Sequence, residues 1–141
     1  MAPLQGLTDF RYRNAFAQFF GGIDTCYSPF IRTNSNLSLK KSKIADILPE
    51  NNNSLPVIPQ ILTKNADEFL FLAQMIADYG YTELNWNLGC PYPMVAKRGM
   101  GSGMLPTPEK IGELLHEVCN KSQLEISVKI RSGYNDELEV F

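Results

Sequence analysis

One cysteine stands where a reactive thiol would be useful. Gly89-Cys90-Pro91 follows directly after residues 82–88, which have the pattern of a β-strand. In α/β proteins ligands bind at the carboxyl ends of strands, so the thiol of Cys90 is predicted to be accessible. A lone cysteine is more often a small buried hydrophobe. We apply that interpretation to Cys26, in mid-strand, and to Cys119, on the apolar stripe of a helix.

Two strand segments carry polar side chains on one face. Residues 82–88 and 125–131 alternate apolar and polar positions. A strand inside a parallel sheet is normally apolar on both faces, so the alternation predicts a polar interior or a site. The alternative is a pair of solvent-facing edge strands. The polar positions are Glu83, Asn85, Asn87, Glu125, Ser127, Lys129 and Arg131.

Three polar side chains in strands call for partners. Lys129 and Arg131 lie near the carboxyl end of one strand, and two buried cations are costly without anions. A negatively charged ligand would remove that cost; exposure on an edge strand would also remove it. Gln60 ends an otherwise apolar strand, where a ligand or a local turn could satisfy its amide.

A glycine-rich run, residues 99–103, follows Cys90. It lacks the Gly-Lys-Ser/Thr of a phosphate-binding loop and does not join a strand directly to a helix. We interpret it as a mobile loop that carries Cys90 and packs its backbone closely. His116 lies opposite the apolar stripe of its helix, so we expect a surface position and no catalytic role.

The elements that position these residues alternate between strand and helix. Such alternation predicts parallel strands with crossover helices. Five strands fit either an open doubly wound sheet or part of an eight-stranded barrel, and periodicity does not choose between them. The predicted strands are 2–5, 23–31, 57–62, 82–88 and 125–131; the helices are 9–20 with an apolar stripe of Tyr12, Ala15, Phe16 and Phe19, 42–48, 65–80 and one beginning at 107 with a stripe of Ile111, Leu114, Leu115, Val118 and Cys119.

Composition narrows the class of protein. The chain has 141 residues and a net charge of −2, which does not by itself indicate a nucleic-acid partner. The small basic clusters 40–43 and 97–98 fit a solvated surface at least as well as phosphate binding. Three cysteines without a CxxC spacing argue against a disulfide framework or a metal site. No apolar run nears a membrane span of about 20 residues and no signal peptide is visible, so we expect a cytoplasmic protein without a membrane partner.

Four segments together resemble one enzyme family. Residues 2–9 (APLQGLTD) resemble the opening motif of tRNA-dihydrouridine synthases, and residues 87–91 (NLGCP) resemble their N-M-G-C-P signature. Residues 97–105 (KRGMGSGML) and 128–133 (VKIRSG) resemble the glycine-rich stretch and the V-K-I-R-x-G strand. Each match alone is weak, but four in the right order over nearly the whole chain are specific.

The resemblance implies a fold and a set of roles. The family fold is an FMN-binding (β/α)₈ TIM barrel followed by a helical domain that helps to hold tRNA. Residues 1–141 would be the N-terminal part of that barrel, about the first five βα units. The implied roles are Pro3, Leu4 and Gln5 lining FMN, Gln60 bonding the flavin ring, Lys129 near its N1/O2 edge, Asn87 and Arg131 recognising the uracil, and Cys90 as the catalytic acid.

The implied reaction is reduction of uridine in tRNA to dihydrouridine. NADPH would reduce FMN, and the target uridine would leave its stack to reach the flavin. Hydride would pass to C6 of the uracil, and Cys90 would give a proton to C5. An ordinary thiol, with a pKa of about 8.5, is protonated at neutral pH and can act as an acid.

Two other functions remain open at this stage. One is another FMN-dependent barrel oxidoreductase resembling dihydroorotate dehydrogenase; the NLGCP segment favours the tRNA enzyme. The other is a non-catalytic RNA-binding fragment, which would bind tRNA without flavin. The sequence carries no signal for the oligomeric state or for the tRNA position that is modified.

Overall fold

The described residues form five α-helices and five parallel β-strands. The computed structural model describes residues 1–33, 37–39 and 41–135. The helices are α1 (Phe10–Phe19), α2 (Lys41–Ile44), α3 (Ala66–Asp78), α4 (Pro93–Ala96) and α5 (Pro108–Lys121). The strands are β1 (Cys26–Tyr27), β2 (Val57–Ile58), β3 (Gln60–Ile61), β4 (Glu83–Leu88) and β5 (Glu125–Ile130). Short 3₁₀ turns cover Ala45–Ile47, Pro49–Asn51 and Gly101–Met104.

The strands pair in the order in which they occur in the sequence. β1 pairs with β2, β3 with β4 and β4 with β5, and every pair is parallel. A bridge between Ile31 and Ile61 connects the two groups. The backbone of Met1 is hydrogen-bonded to Thr25 and Tyr27, so the first residues run beside β1. The predicted α/β architecture with parallel strands is confirmed.

The strands are shorter than the sequence predicts at three places. Residues 2–5 lie outside the assigned strands, and of residues 23–31 only β1 and the Ile31 bridge pair. Residues 57–62 form two strands because Pro59, which has no N–H, interrupts the ladder. The carbonyl of Pro59 still accepts a bond from the backbone of Asn85 at 2.8 Å.

The apolar face of the central strands is covered by helices. Trp86 of β4 is fully buried and meets Phe69 of α3 edge to face, with ring centroids 5.9 Å apart. The indole N–H of Trp86 donates to the carbonyl of Thr63 at 2.9 Å. α3 begins where predicted, because the Asn65 side chain caps the N–H of Glu68 at 2.9 Å. α3 and α5 therefore cover one face of the central strands, and the polar strand positions lie on the other.

One predicted burial is wrong, and the apolar stripe of another helix lies largely outside the core. The aromatic stripe of α1 is exposed, with Phe19 at 72% and Tyr12 at 48%, whereas Arg13 is buried at 1%. Cys119 is also exposed, since Leu114 and Val118 occupy the buried positions of α5. Periodicity identifies an apolar stripe but not the element that covers it. Cys26 is buried and His116 is exposed, as predicted.

Buried Arg13 attaches α1 to the segment that follows α2. Its guanidinium donates to the carbonyls of Thr8 and Asp46 at 2.8 and 2.6 Å, and to Oδ1 of Asn52 at 2.8 Å. The Asp46 carboxylate lies 3.8 Å away. Burial lowers the pKa of Arg13, and the charge of Asp46 opposes that shift. Polar contacts rather than apolar packing thus fix the inward face of α1.

No helix among these described residues has the length and apolar character needed to span a bilayer.

Candidate active site at the carboxyl ends of the strands

Three amide side chains form a buried chain of hydrogen bonds across β3 and β4. The Gln60 amide nitrogen donates to Oδ1 of Asn85 at 2.7 Å, and the Asn87 amide nitrogen donates to Oε1 of Gln60 at 2.8 Å. Asn85 continues the chain to the hydroxyl of Ser127 on β5 at 2.9 Å. The register explains this arrangement, because Gln60, Asn85 and Ser127 are paired across the three strands. The side chain of Gln60 therefore has its partners on the neighbouring strand β4, not in a local turn.

Asn87 joins this chain to the loop that carries the cysteine. Its Oδ1 accepts the backbone N–H groups of Gly89 and Cys90 at 3.1 and 2.9 Å. An asparagine that bonds backbone groups two and three residues later makes a turn immediately after its strand. Asn87 is 6% exposed, so the polar face of β4 fixes the start of the loop from within the protein.

Cys90 occupies a partly exposed position at the end of β4. Its side chain packs beside the buried apolar cluster of Leu62, Val95 and Met100, which Phe30 also contacts. The predicted accessibility of this cysteine agrees with its partial exposure. The side chain of Cys90 thus packs against apolar residues and remains partly accessible.

The glycine-rich run folds back against Cys90. Gly101 has φ +56°, and a Cβ there would lie 2.8 Å from the carbonyl oxygen of Cys90. A Cβ on Gly103 would lie 2.1 Å from the carbonyl oxygen of Ala96. The predicted close backbone packing is confirmed, although α4 and a 3₁₀ turn replace a plain loop. Its mobility stays a prediction.

The two cations of β5 differ in their surroundings. Lys129 is paired in register with Asn87, so both side chains lie on the polar face, and Lys129 is half-buried. Arg131 follows the last residue of β5 and is exposed. A Cβ on Gly89 would lie 3.4–3.5 Å from the backbone of residues 129–131. The Cys90 loop and the end of β5 are therefore in close contact.

The first residues of the chain reach the same end of the strands. The Gln5 amide donates weakly to the carbonyl of Phe30 at 3.4 Å, and Phe30 contacts the apolar cluster beside Cys90. Pro3 is half-buried, whereas Leu4 is 58% exposed. The structure thus links Gln5 to the region of Cys90 through Phe30, and joins Gln60, Asn87 and Cys90 directly.

Three further residues belong to this network but were not assigned a role from the sequence. Asn85 and Ser127 were placed on the polar faces of their strands, and the cross-strand register shows that they are joined to each other. Ser102 bonds the carbonyl of Cys90, a contact across twelve residues that no periodic pattern signals. Among the described residues, no group of three or more His, Cys, Asp or Glu side chains is placed to hold a metal ion.

Comparison with known proteins identifies relatives of one kind. The sequence profile of a family described as "Dihydrouridine synthase (Dus)" matches residues 1–141. A "Probable tRNA-dihydrouridine synthase" of Staphylococcus epidermidis is 28% identical over 137 residues, 96% of this chain and 41% of the relative.

Two further relatives show a similar level of identity. A "Probable tRNA-dihydrouridine synthase 2" of Bacillus subtilis is 28% identical over 96% of this chain and 42% of its own length. A "tRNA-dihydrouridine(16) synthase" of Neisseria meningitidis serogroup B is 29% identical over 96% of this chain and 43% of its own length. The chain therefore spans about two fifths of the length of these relatives.

Proposed function

Because the chain belongs to the dihydrouridine synthase family, we propose that it forms part of a cytoplasmic tRNA-dihydrouridine synthase. The complete enzyme reduces the C5–C6 double bond of uridine in tRNA, with FMN as cofactor and NADPH as reductant. Residues 1–141 are the N-terminal part of its (β/α)₈ barrel. The sequential order of the parallel strands supports a barrel, since a doubly wound sheet reverses its strand order at a switch point.

The observation that carries the proposal is the connection from the polar strand face to Cys90. Gln60 and Asn87 lie inside the sheet, and Asn87 holds the N–H of Cys90 at 2.9 Å. A group bound at the end of the polar face would therefore lie next to the loop that carries the thiol, and the main chain of that loop is held in place. General acid catalysis requires this placement, because the donor must reach the atom that it protonates.

The hydrogen-bond donors on the polar face suit the acceptor atoms of a flavin ring. Gln60 uses one of its two amide N–H groups inside the network, and the second is the donor that we assign to the flavin ring. Because Gln60 is 0% exposed in this structure, that bond requires its side chain to shift towards the ring. Lys129 adds a half-buried cation on the same face, which suits the electron-rich N1/O2 edge of the ring. Pro3, Leu4 and Gln5 would border the cofactor at the first strand end. Bound FMN supplies the hydride for C6 of the uracil.

The remaining residues act on the pyrimidine. The free N–H of Asn87 and the exposed guanidinium of Arg131 are donors for the uracil carbonyls. Cys90 holds a proton on Sγ and delivers it to C5. The apolar contact with Leu62, Val95 and Met100 supports the thiol in that position.

A basic groove beside the Cys90 loop supports tRNA as the partner. Its cations come from three separate loops, and the one carboxylate that the described residues place on its rim, Glu68, is hydrogen-bonded to Thr63. Lys64 also anchors the loop by donating to the carbonyl of Arg98 at 2.7 Å. Phosphates flanking an extruded uridine need such cations nearby. The groove's cations are Arg32, Lys64, Lys97 and Arg98.

One experiment tests the proposal as a whole. The complete protein is purified and its visible absorbance recorded, and tRNA lacking dihydrouridine is then incubated with it and NADPH. We expect flavin bands and dihydrouridine in the product. Flavin bands with reduction of another substrate and none of tRNA would favour the dihydroorotate-dehydrogenase-like alternative. A colourless protein that binds tRNA unchanged would favour the non-catalytic one.

A further inference from the structure

The carbonyl group of Cys90 is held by one buried serine. The backbone N–H and the hydroxyl of Ser102 both donate to this oxygen, at 3.1 and 3.0 Å. Ser102 is 0% exposed, although the 3₁₀ turn that contains it follows Cys90 at the edge of the protein. A buried hydroxyl needs a partner, and here the partner is the main chain of the cysteine itself.

The peptide groups on both sides of the Cys90 α-carbon are therefore held by hydrogen bonds. Asn87 accepts its N–H, and Ser102 donates twice to its carbonyl oxygen. With both flanking peptide groups fixed, the thiol has only its side-chain torsion left to vary. The apolar contacts with Leu62, Val95 and Met100 narrow that freedom further.

The residues on either side of Ser102 make this contact possible. Gly101 adopts φ +56°, and any side chain there would meet the carbonyl oxygen of Cys90 at 2.8 Å. A Cβ on Gly103 would come closer still, 2.1 Å from the carbonyl oxygen of Ala96. Two glycines thus allow the backbone to approach, and the small serine between them reaches the carbonyl without displacing its neighbours.

We propose that Ser102 is a positioning residue for the proton transfer, acting through Cys90 without touching the substrate. This inference rests on the function proposed above. When the proton passes from Sγ to C5 of the pyrimidine, the S–H bond breaks, a C–H bond forms and a thiolate remains. The rate of such a step depends steeply on the donor–acceptor distance, and misplacement by about 1 Å can cost 100-fold.

The test compares two alanine variants in the complete enzyme, each of which removes one side-chain hydroxyl from the segment between Cys90 and α5. Ser102→Ala removes the hydroxyl donor to the carbonyl of Cys90 and leaves the backbone N–H donor of residue 102 in place. Thr107→Ala is the control, because the hydroxyl of Thr107 donates to the carbonyl of Met104 at 3.1 Å and does not bond Cys90. We expect Ser102→Ala to lower kcat about tenfold, with KM for tRNA and flavin content within about twofold of wild type. Thr107→Ala should leave all three within twofold.

A second readout does not depend on activity. The rate of alkylation of Cys90 is followed by mass spectrometry of tryptic peptides; cleavage after Lys97 and Arg98 separates Cys90 from the residue at position 102. Ser102→Ala should expose the thiol and raise this rate at least threefold, while Thr107→Ala should not. If the two variants alkylate and turn over alike, the positioning role is wrong, even when Cys90→Ala is inactive.

A third variant keeps the inference testable if Ser102→Ala does not fold. Ser102→Cys keeps a weaker donor of similar size at position 102 and should recover part of the lost kcat. Full wild-type kcat in Ser102→Ala, or a loss of kcat matched by an equal loss in Thr107→Ala, would overturn the inference. An active Cys90→Ala enzyme would instead contradict the function proposed for Cys90.

Discussion

The side-chain oxygen of Asn87 lies 2.9 Å from the backbone nitrogen of Cys90. The other end of the same amide donates to Gln60 at 2.8 Å. One residue thus connects a buried polar strand face with the loop that carries the thiol. Loss of that side chain would remove partners on both sides at once.

Asn87→Ala is expected to destabilise the protein by about 1–3 kcal/mol, because buried polar groups lose their partners. Those groups are Oε1 of Gln60 and the N–H groups of Gly89 and Cys90. Chemical denaturation of the complete protein measures the change. Asn120→Ala, an exposed change on α5, is the control and should be nearly neutral. Equal midpoints for the two variants would show that the amide chain does not stabilise the loop.

Two glycine substitutions should have opposite effects. Gly103→Ala would place a Cβ 2.1 Å from the carbonyl oxygen of Ala96, so we expect a loss of about 3 kcal/mol or disruption of the loop. Gly112 lies inside α5 with nothing within 4 Å of the added atom. Gly112→Ala should stabilise the protein by about 0.5–1 kcal/mol. Thermal unfolding reports both, and a stable Gly103→Ala protein would be inconsistent with the described packing.

Arg13→Lys should be strongly destabilising even though it keeps the charge. A single ammonium group cannot reproduce the fork that reaches Thr8, Asp46 and Asn52, and we expect a loss of about 2–4 kcal/mol. Arg11 on the same helix is the matched control, since it also pairs with an aspartate but is 76% exposed. Arg11→Lys should change the free energy of unfolding by less than about 0.5 kcal/mol. Similar losses in the two variants would argue against Arg13 as the attachment of α1.

The basic groove predicts a change in the salt dependence of tRNA binding. Lys97→Ala with Arg98→Ala should reduce the slope of log affinity against log salt by about 1–2, as expected for one or two lost phosphate contacts. Lys110→Ala with Lys121→Ala removes the same charge from exposed positions on α5. Binding isotherms at several salt concentrations separate the pairs. A shared slope would mean that the groove does not contact the phosphates.

How far the sequence predicted the structure depends on the range of each interaction. Alternation along 82–88 correctly placed Asn85 and Asn87 on one face because that pattern is local. The partners of Gln60 could not be read in the same way, since Asn85 lies 25 residues away and meets it only through strand register.

Packing partners explain the other differences. Periodicity identified the apolar stripe of α1, but the described elements meet that helix at Arg13 instead. Ser102 had no local signal, because its bond to Cys90 depends on a positive φ at Gly101. The motif resemblance named the candidate site residues. The hydrogen bonds that join them became visible only in the structure.

The most direct measurement is the activity of Cys90→Ala in the complete protein, with flavin content determined in the same preparation. The main-chain bonds to Asn87 and Ser102 do not involve the thiol, so the variant should fold and retain its flavin. We predict normal flavin absorbance and a loss of dihydrouridine formation of at least about 100-fold, the size of a general-acid contribution. A Cys90→Ala enzyme that reduces uridine at the wild-type rate would contradict the role assigned to this thiol.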